Sequence, residues 1–253
     1  MELALEQLQI VSREAPDDPR PDRLKGLIQK DFERYQEAIA DYSEALRRGP
    51  DDQSRQEILV ELAECQVKQH LYSEAAATAS QATSTPDTLL LQAQCAHATQ
   101  ESEKASQLIQ QALAMEPNHL DSQLLHAELL IDAGQLNDAL AVLSTTMAAW
   151  PADYRLRYQL ANVYRRLGND HEAELQTSEM TRLQKLSDEF TALHEMAFSD
   201  TANAELRFRL GQIADELQKH DLAAVWYRAA LGIDPSHTAA RTALQRAQST
   251  QDR

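Results

Sequence analysis

The sequence predicts an all-α protein, a right-handed solenoid of antiparallel helix pairs. Three observations carry this. Among 253 residues there are 39 Ala, 35 Leu and 25 Gln, whereas Val and Ile together number 14 and Gly only 6. Good helix formers therefore dominate and sheet formers are scarce. Alanine anchors at Ala4, Ala38, Ala75, Ala105, Ala139, Ala173 and Ala223 recur at gaps of mostly 30 to 37 residues. Prolines Pro16, Pro50, Pro117, Pro151 and Pro235 close helical apolar patterns, two pairs of them 34 residues apart. Periodicity of this length marks a repeat array.

Each anchor belongs to the second helix of a pair. The sets read Ala4–Leu8–Val11, Ala38–Tyr42–Ala45, Ala105–Ile109–Ala112, Ala139–Leu143–Thr146 and Ala223–Tyr227–Ala230, each followed by its proline. Steps of four and three place every set on one helix face. Proline then ends the helix. Two weaker copies, Ala75–Ala79–Ala82 and Ala173–Thr177–Met180, lack the proline. A first helix precedes most sets and carries an apolar residue beside a small one: Leu62–Ala63, His126–Ala127, Leu160–Ala161 and Leu210–Gly211. Small residues let two helices approach closely. Gly134 and Gly168 fall between paired helices, where a C-cap needs positive φ.

This pattern resembles the tetratricopeptide repeat family over nearly the whole chain, most closely from Arg207 to Pro235, where Leu210, Gly211, Ala223, Tyr227, Ala230 and Pro235 match. The opening Trp of the family pattern is replaced by Arg207 and its Tyr by Ala214. The resemblance places a half-repeat capping helix at 1–18 and repeats at 19–52, 56–85, 86–119, 120–153 and 154–187. A helical insertion follows at 188–203, then a sixth repeat at 204–237 and a capping helix and tail at 238–253. Residues 1–14 read as a second helix without a first, which is either an N-cap or the sign of a longer polypeptide. Within the 50-residue gap, Thr177, Met180, Leu183, Leu186, Phe190, Leu193 and Ala197 form an apolar stripe. It reads as ordered helix, either one long helix or two broken near Ser187–Asp188. The Phe190–Leu193–Phe198 face packs on neighbouring repeats in one reading and is a docking or dimer surface in the other.

Composition and motifs argue against most chemistry. No phosphate-cradling glycine loop, zinc-protease motif or nucleophile elbow is present, and His194 lacks the second histidine of a zinc motif. It reads as a helix-surface residue. Cys65 and Cys95 occupy equivalent places and read as buried structural thiols. The expectation is therefore no enzyme, no cofactor and no metal. A net charge of −16 argues against nucleic acid, and no apolar run is long enough to span a membrane. The cytoplasm is the favoured compartment, an exported one being the alternative if an N-terminal segment was removed.

The expected partner is a protein or peptide, and a homo-oligomer is compatible with the sequence. The leading function is a protein-interaction scaffold. The alternative is a targeting or regulatory module of a larger polypeptide whose activity lies elsewhere. By resemblance, the fifth and ninth places of each first helix line a concave groove. The fifth places are Val60, Leu90, Leu124, Tyr158 and Phe208; the ninth are Glu64, Gln94, Glu128, Asn162 and Gln212. Arg155, Arg165 and Arg166 make one end basic, while Glu57, Glu64, Asp121, Glu128 and Asp132 make the other acidic. Tyr158 stands where chaperone-tail binders carry lysine, so the two-carboxylate clamp is not expected. The expected ligand is an extended or helical segment with apolar anchors and mixed charge, held at Tyr158 and Phe208.

Overall fold

A computed structural model describes residues 2–251, with side chains described through residue 247. Met1 and residues 252–253, the ends of the expected cap and tail, lie outside the described residues. The chain forms two compact units that divide between Ala133 and Gly134. The division falls inside the repeat expected at 120–153, so its two helices belong to different units.

The first unit holds α1 (Glu2–Glu14), α2 (Arg20–Asp31), α3 (Tyr35–Arg47), α4 (Asp52–Lys68), α5 (Tyr72–Ala79), α6 (Pro86–Ala98), α7 (Ser102–Met115) and α8 (Leu120–Asp132). Consecutive helices pack on one another, and the first helices also touch: α2 with α4, α4 with α6, and α6 with α8. Helix starts follow local chemistry. Asp51 accepts from the Ser54 amide at 3.0 Å and starts α4 four residues before the expected repeat boundary. Thr85 and Thr88 form a reciprocal capping box with Pro86 in the first turn of α6.

The second unit holds α9 (Leu136–Ala149), α10 (Tyr154–Arg166), α11 (Asp170–Ser199), α12 (Ala204–Glu216), α13 (His220–Ile233) and α14 (Thr238–Gln251). α11 is one unbroken helix of 30 residues, and Ser187–Asp188 does not interrupt it. The Ser187 side chain therefore caps nothing; its carbonyl accepts from Thr191 Oγ1 at 3.1 Å. The apolar stripe explains the continuity. Leu183 and Leu186 pack on Ile213 and Leu217, and Ala197 packs on Leu206 and Leu210, with Phe190 and Leu193 bridging the two clusters. α14 covers α13 through Ala243, Leu244 and Ala247.

Pairing within a repeat depends on one hole. An added Cβ at Gly26 would lie 2.7 Å from the Tyr42 ring, and at Gly211 it would lie 2.4 Å from the Tyr227 ring. Both tyrosines are buried. Both sit 16 residues after their glycine, and Ala93–Ile109, which share one buried cluster, keep the same separation with a larger first residue and a smaller second. Gly26 escaped the sequence reading because Lys25, not an apolar residue, precedes it.

The turns within pairs need a left-handed residue. Gly134 and Gly168 supply it as expected, at φ +75° and +78°. Glu33, His70, Gln100 and Gln218 occupy the same conformation at φ 58–64°, where a side chain is disfavoured.

α1 is held differently from every other helix. Asp22 is 1% exposed and accepts from Ser12 of α1 at 3.1 Å, Lys25 at 2.7 Å and Arg48 at 2.9 Å. Lys25 also reaches Asp41 at 2.8 Å, and Arg48 donates to the Ser12 and Ala15 carbonyls at 2.9 and 3.1 Å. Three helices thus share one buried charge network. Around it, Arg20 hydrogen-bonds Asp18 and holds it at about 2, and Arg47 with Arg48 does the same for Glu44. Burial pushes Asp41 the other way.

Gly211→Ala is expected to destabilise the protein by about 1–3 kcal/mol through overpacking. Adding Tyr227→Leu should recover part of the loss; urea unfolding of the single and double variants measures it. Gln100→Gly should stabilise by roughly 0.5–1 kcal/mol by relieving left-handed strain, read from the same assay. Arg48→Met should cost about 3–5 kcal/mol, because Asp22 is left buried with one fewer partner. Asp18 and Glu44 are depressed, so their stabilisation is full above the ordinary carboxylate range and is lost as pH falls towards about 2. Asp41, being raised, opposes this weakly. Thermal melting should therefore fall across that acid range, and less steeply in Glu44→Gln.

Candidate protein-binding face

In the first unit, α4, α6 and α8 lie side by side and bring Val60, Leu90 and Leu124 onto adjoining helices. They do not form an open apolar stripe. Leu90 and Leu124 are each only 8% exposed, and Leu90 packs in a core with Ala93, Ile109, Leu125 and Leu129. Val60 is half-buried. Close first-helix packing consumes these side chains.

The acidic end is also largely answered from within. Glu64 pairs with Lys30. Arg23 holds Glu61 through two bonds of 2.8 and 3.2 Å and pairs with Glu57. His97 Nε2 lies 3.5 Å from Asp132 and 3.8 Å from Glu128. Gln94 is half-buried, while Glu128 is exposed. The sequence placed these carboxylates together, but not the bases that reach them from neighbouring helices.

In the second unit, α10 presents Tyr154, Tyr158, Asn162 and Arg165 on one face, at steps of four, four and three. Tyr158 is 62% exposed, Tyr154 and Arg165 are exposed and Asn162 is half-buried. None of the four side chains has a hydrogen-bond or ion-pair partner among the described residues. Arg166 is also exposed. Tyr154 was missed by the sequence reading; its four-residue step from Tyr158 was the available signal. α10 is fixed beneath by buried Leu156, Leu160, Ala161 and Val163, and its start by Asp153, which accepts from the Arg155 amide at 2.9 Å.

Phe208 and Gln212 lie elsewhere. α12 packs on α11 and α13, and does not adjoin α10 as α4, α6 and α8 adjoin one another. The expected joint grip of Tyr158 and Phe208 is therefore not built as one stripe. The 30-residue α11 is the cause, because α12 seats on its later half. Phe208 instead is half-buried, with ring centroids 5.8 Å from Tyr227 and 4.8 Å from His237. With Gln212, Asp215, Thr242 and Arg246 it lines an open cleft of about 450 Å³. Arg209 is committed to Glu189 of α11 at 2.7 Å.

Cys65 and Cys95 are buried free thiols, and burial pushes both up to about 11, far from a reactive thiolate. His194 is not a plain surface residue. It stacks on Phe190 at 6.0 Å and meets Phe198 and Trp226 edge-on at 5.1 and 5.6 Å. Within the Phe190–Leu193–Phe198 face, the first two pack against α12 while Phe198 stays 76% exposed. Among the described residues no group of three or more His, Cys, Asp or Glu is arranged to hold a metal ion, and no helix is long and apolar enough to cross a membrane.

Comparison with known proteins bears on the fold and the family. Among solved structures, the chain is similar to one in the APC/C hetero-tetramer Cut9–Hcn1 at 13% identity and TM-score 0.56, over 96% of this chain and 46% of that one. It is similar to a tetratricopeptide repeat protein from Parabacteroides merdae at 18% identity and TM-score 0.54, over 91% and 98%. A MamA protein matches at 16% identity and TM-score 0.53, over 66% and 92%. Comparison with curated proteins gives no match. Identities this low establish a shared fold and nothing finer. Family models described as tetratricopeptide repeat match residues 2–53 and 23–87, 96–148 and 130–196, and 204–237. With paired helices and turns in register and the anchors from Ala38 to Ala223 buried, the chain belongs to the tetratricopeptide repeat family.

Proposed function

We propose that this protein is a non-enzymatic interaction scaffold that holds an extended or helical segment of another protein on its first-helix faces, with α10 as the principal contact. Stacked helix pairs present long surfaces suited to such segments. The observation that carries the reading is the face of exposed Tyr154, Tyr158 and Arg165 and half-buried Asn162, whose polar groups have no partner among the described residues. Tyrosine and arginine are the residue types that dominate binding energy at interfaces. The asparagine amide offers both a donor and an acceptor to a peptide backbone. Glu64, Gln94 and Glu128 line a second, tighter-packed face in the first unit, where packing leaves little of Val60, Leu90 and Leu124 to a partner, and Phe208 with Gln212 forms a separate cleft. These are secondary contacts in this reading.

The test begins with an affinity pull-down that supplies a partner. A triple variant, Tyr158→Ala, Asn162→Ala and Arg165→Glu, is then compared with the parent by calorimetry. An unchanged helical circular dichroism spectrum with at least tenfold weaker binding is the expected outcome. A folded variant that binds as tightly as the parent moves the site away from α10.

A further inference from the structure

We infer that the α10 face selects an acidic, extended protein segment with two apolar residues spaced by two. This rests on the α10 reading above and specifies its partner. Three features lead to it.

The first is charge. α10 carries four arginines, Arg155, Arg157, Arg165 and Arg166, and no acid, in a chain of net charge −16. Arg155 is bound to Asp153 at 2.8 Å, and Arg157 donates to Gln176 and to the Pro151 carbonyl at 2.9 and 3.2 Å. The Arg165 guanidinium is exposed and uncommitted among the described residues. It is positioned to receive a carboxylate in the bidentate geometry that arginine favours.

The second is spacing. Helix rise puts Tyr158, Asn162 and Arg165 about 6, 12 and 16 Å along the axis from Tyr154. Alternate residues of an extended chain repeat about every 6.6 Å. Two side chains spaced by two therefore meet Tyr154 and Tyr158, the backbone then passes Asn162, and the following residues reach Arg165. The whole footprint is about five extended residues. The third is the boundary. Asp170 and Glu174 line a shallow depression with Arg165, beyond the end of the tyrosine row. They repel an acid that overshoots, so the carboxylate is favoured at Arg165 and not past it.

An aromatic and basic row also suits single-stranded nucleic acid. The net charge of −16 opposes a polyphosphate, which carries a charge at every step, far more than a short segment with one or two carboxylates.

A random dodecapeptide phage library panned on the whole protein tests this, with a fluorescent oligothymidylate measured in parallel. Expected is enrichment of two apolar or aromatic residues spaced by two with Asp or Glu within the next three positions. Enriched peptides should lose roughly tenfold in affinity with either Tyr158→Ala or Arg165→Glu, and should weaken as salt rises. Arg165→Lys should retain part of the binding. Enrichment of basic or uncharged peptides, no enrichment at all, peptides indifferent to both variants, or tighter binding of the oligonucleotide would each overturn the inference. If a pulled-down partner needs the α10 face but the library shows no acidic preference, the charge class fails while the site stands. If neither depends on α10, both fail.

Discussion

The interaction on which the rest depends is the fit of one second-helix side chain into a gap on its first helix. Two helices joined by a short turn pack closely only where one surface lacks bulk. Gly26 and Gly211 provide the deepest gaps, and Tyr42 and Tyr227 fill them. Where the first helix carries Ala93, the residue 16 later is Ile109, and the two share one buried cluster. In these pairs a larger first-helix residue goes with a smaller partner, whereas Ala63 and Ala79 are both small and both fully buried. This complementarity sets the depth at which each pair meets, and so sets which residues of the first helix remain outside. Tyr227 is tied further by its hydroxyl, which donates to Asp215 at 2.8 Å while His220 approaches the same carboxylate at 3.1 Å.

The N-terminal helix is attached by different physics. Its anchor places, Ala4 and Val11, are exposed, whereas the matching Ala38 and Ala45, or Ala105 and Ala112, are fully buried. Little apolar area therefore holds α1, and the Ser12–Asp22–Lys25–Arg48 network takes its place. A buried network of this kind fixes geometry strictly, since each charge must keep its partners or incur desolvation.

The extension of α11 decides how much of α10 stays exposed. In the first unit every first helix lies against the previous one, so the leucines at equivalent places are buried between neighbours. α11 runs 30 residues and seats α12 on Leu183, Leu186, Phe190 and Leu193. α12 therefore does not flank α10, and the tyrosines of α10 remain open. The same family position is thus a core residue in one unit and an exposed residue in the other.

Sequence alone determined the all-α class and the succession of helix pairs, because periodic alanines, prolines and turn glycines act locally. It also singled out Tyr158, Asn162 and Arg165. It left one or two helices open for the 183–198 stripe, since Ser187–Asp188 is a sound local cap; packing on α12 decided for one. It did not show that Leu90 and Leu124 are consumed in the core or that Lys30 and Arg23 neutralise Glu64, Glu57 and Glu61. Those partners come from other repeats, tens of residues away. The buried Asp22 network and the non-glycine left-handed turns at Glu33, His70, Gln100 and Gln218 were likewise beyond local pattern. A residue's place in a repeat is written in its spacing, but its exposure is set by which helix arrives beside it, and only the tertiary structure decides that.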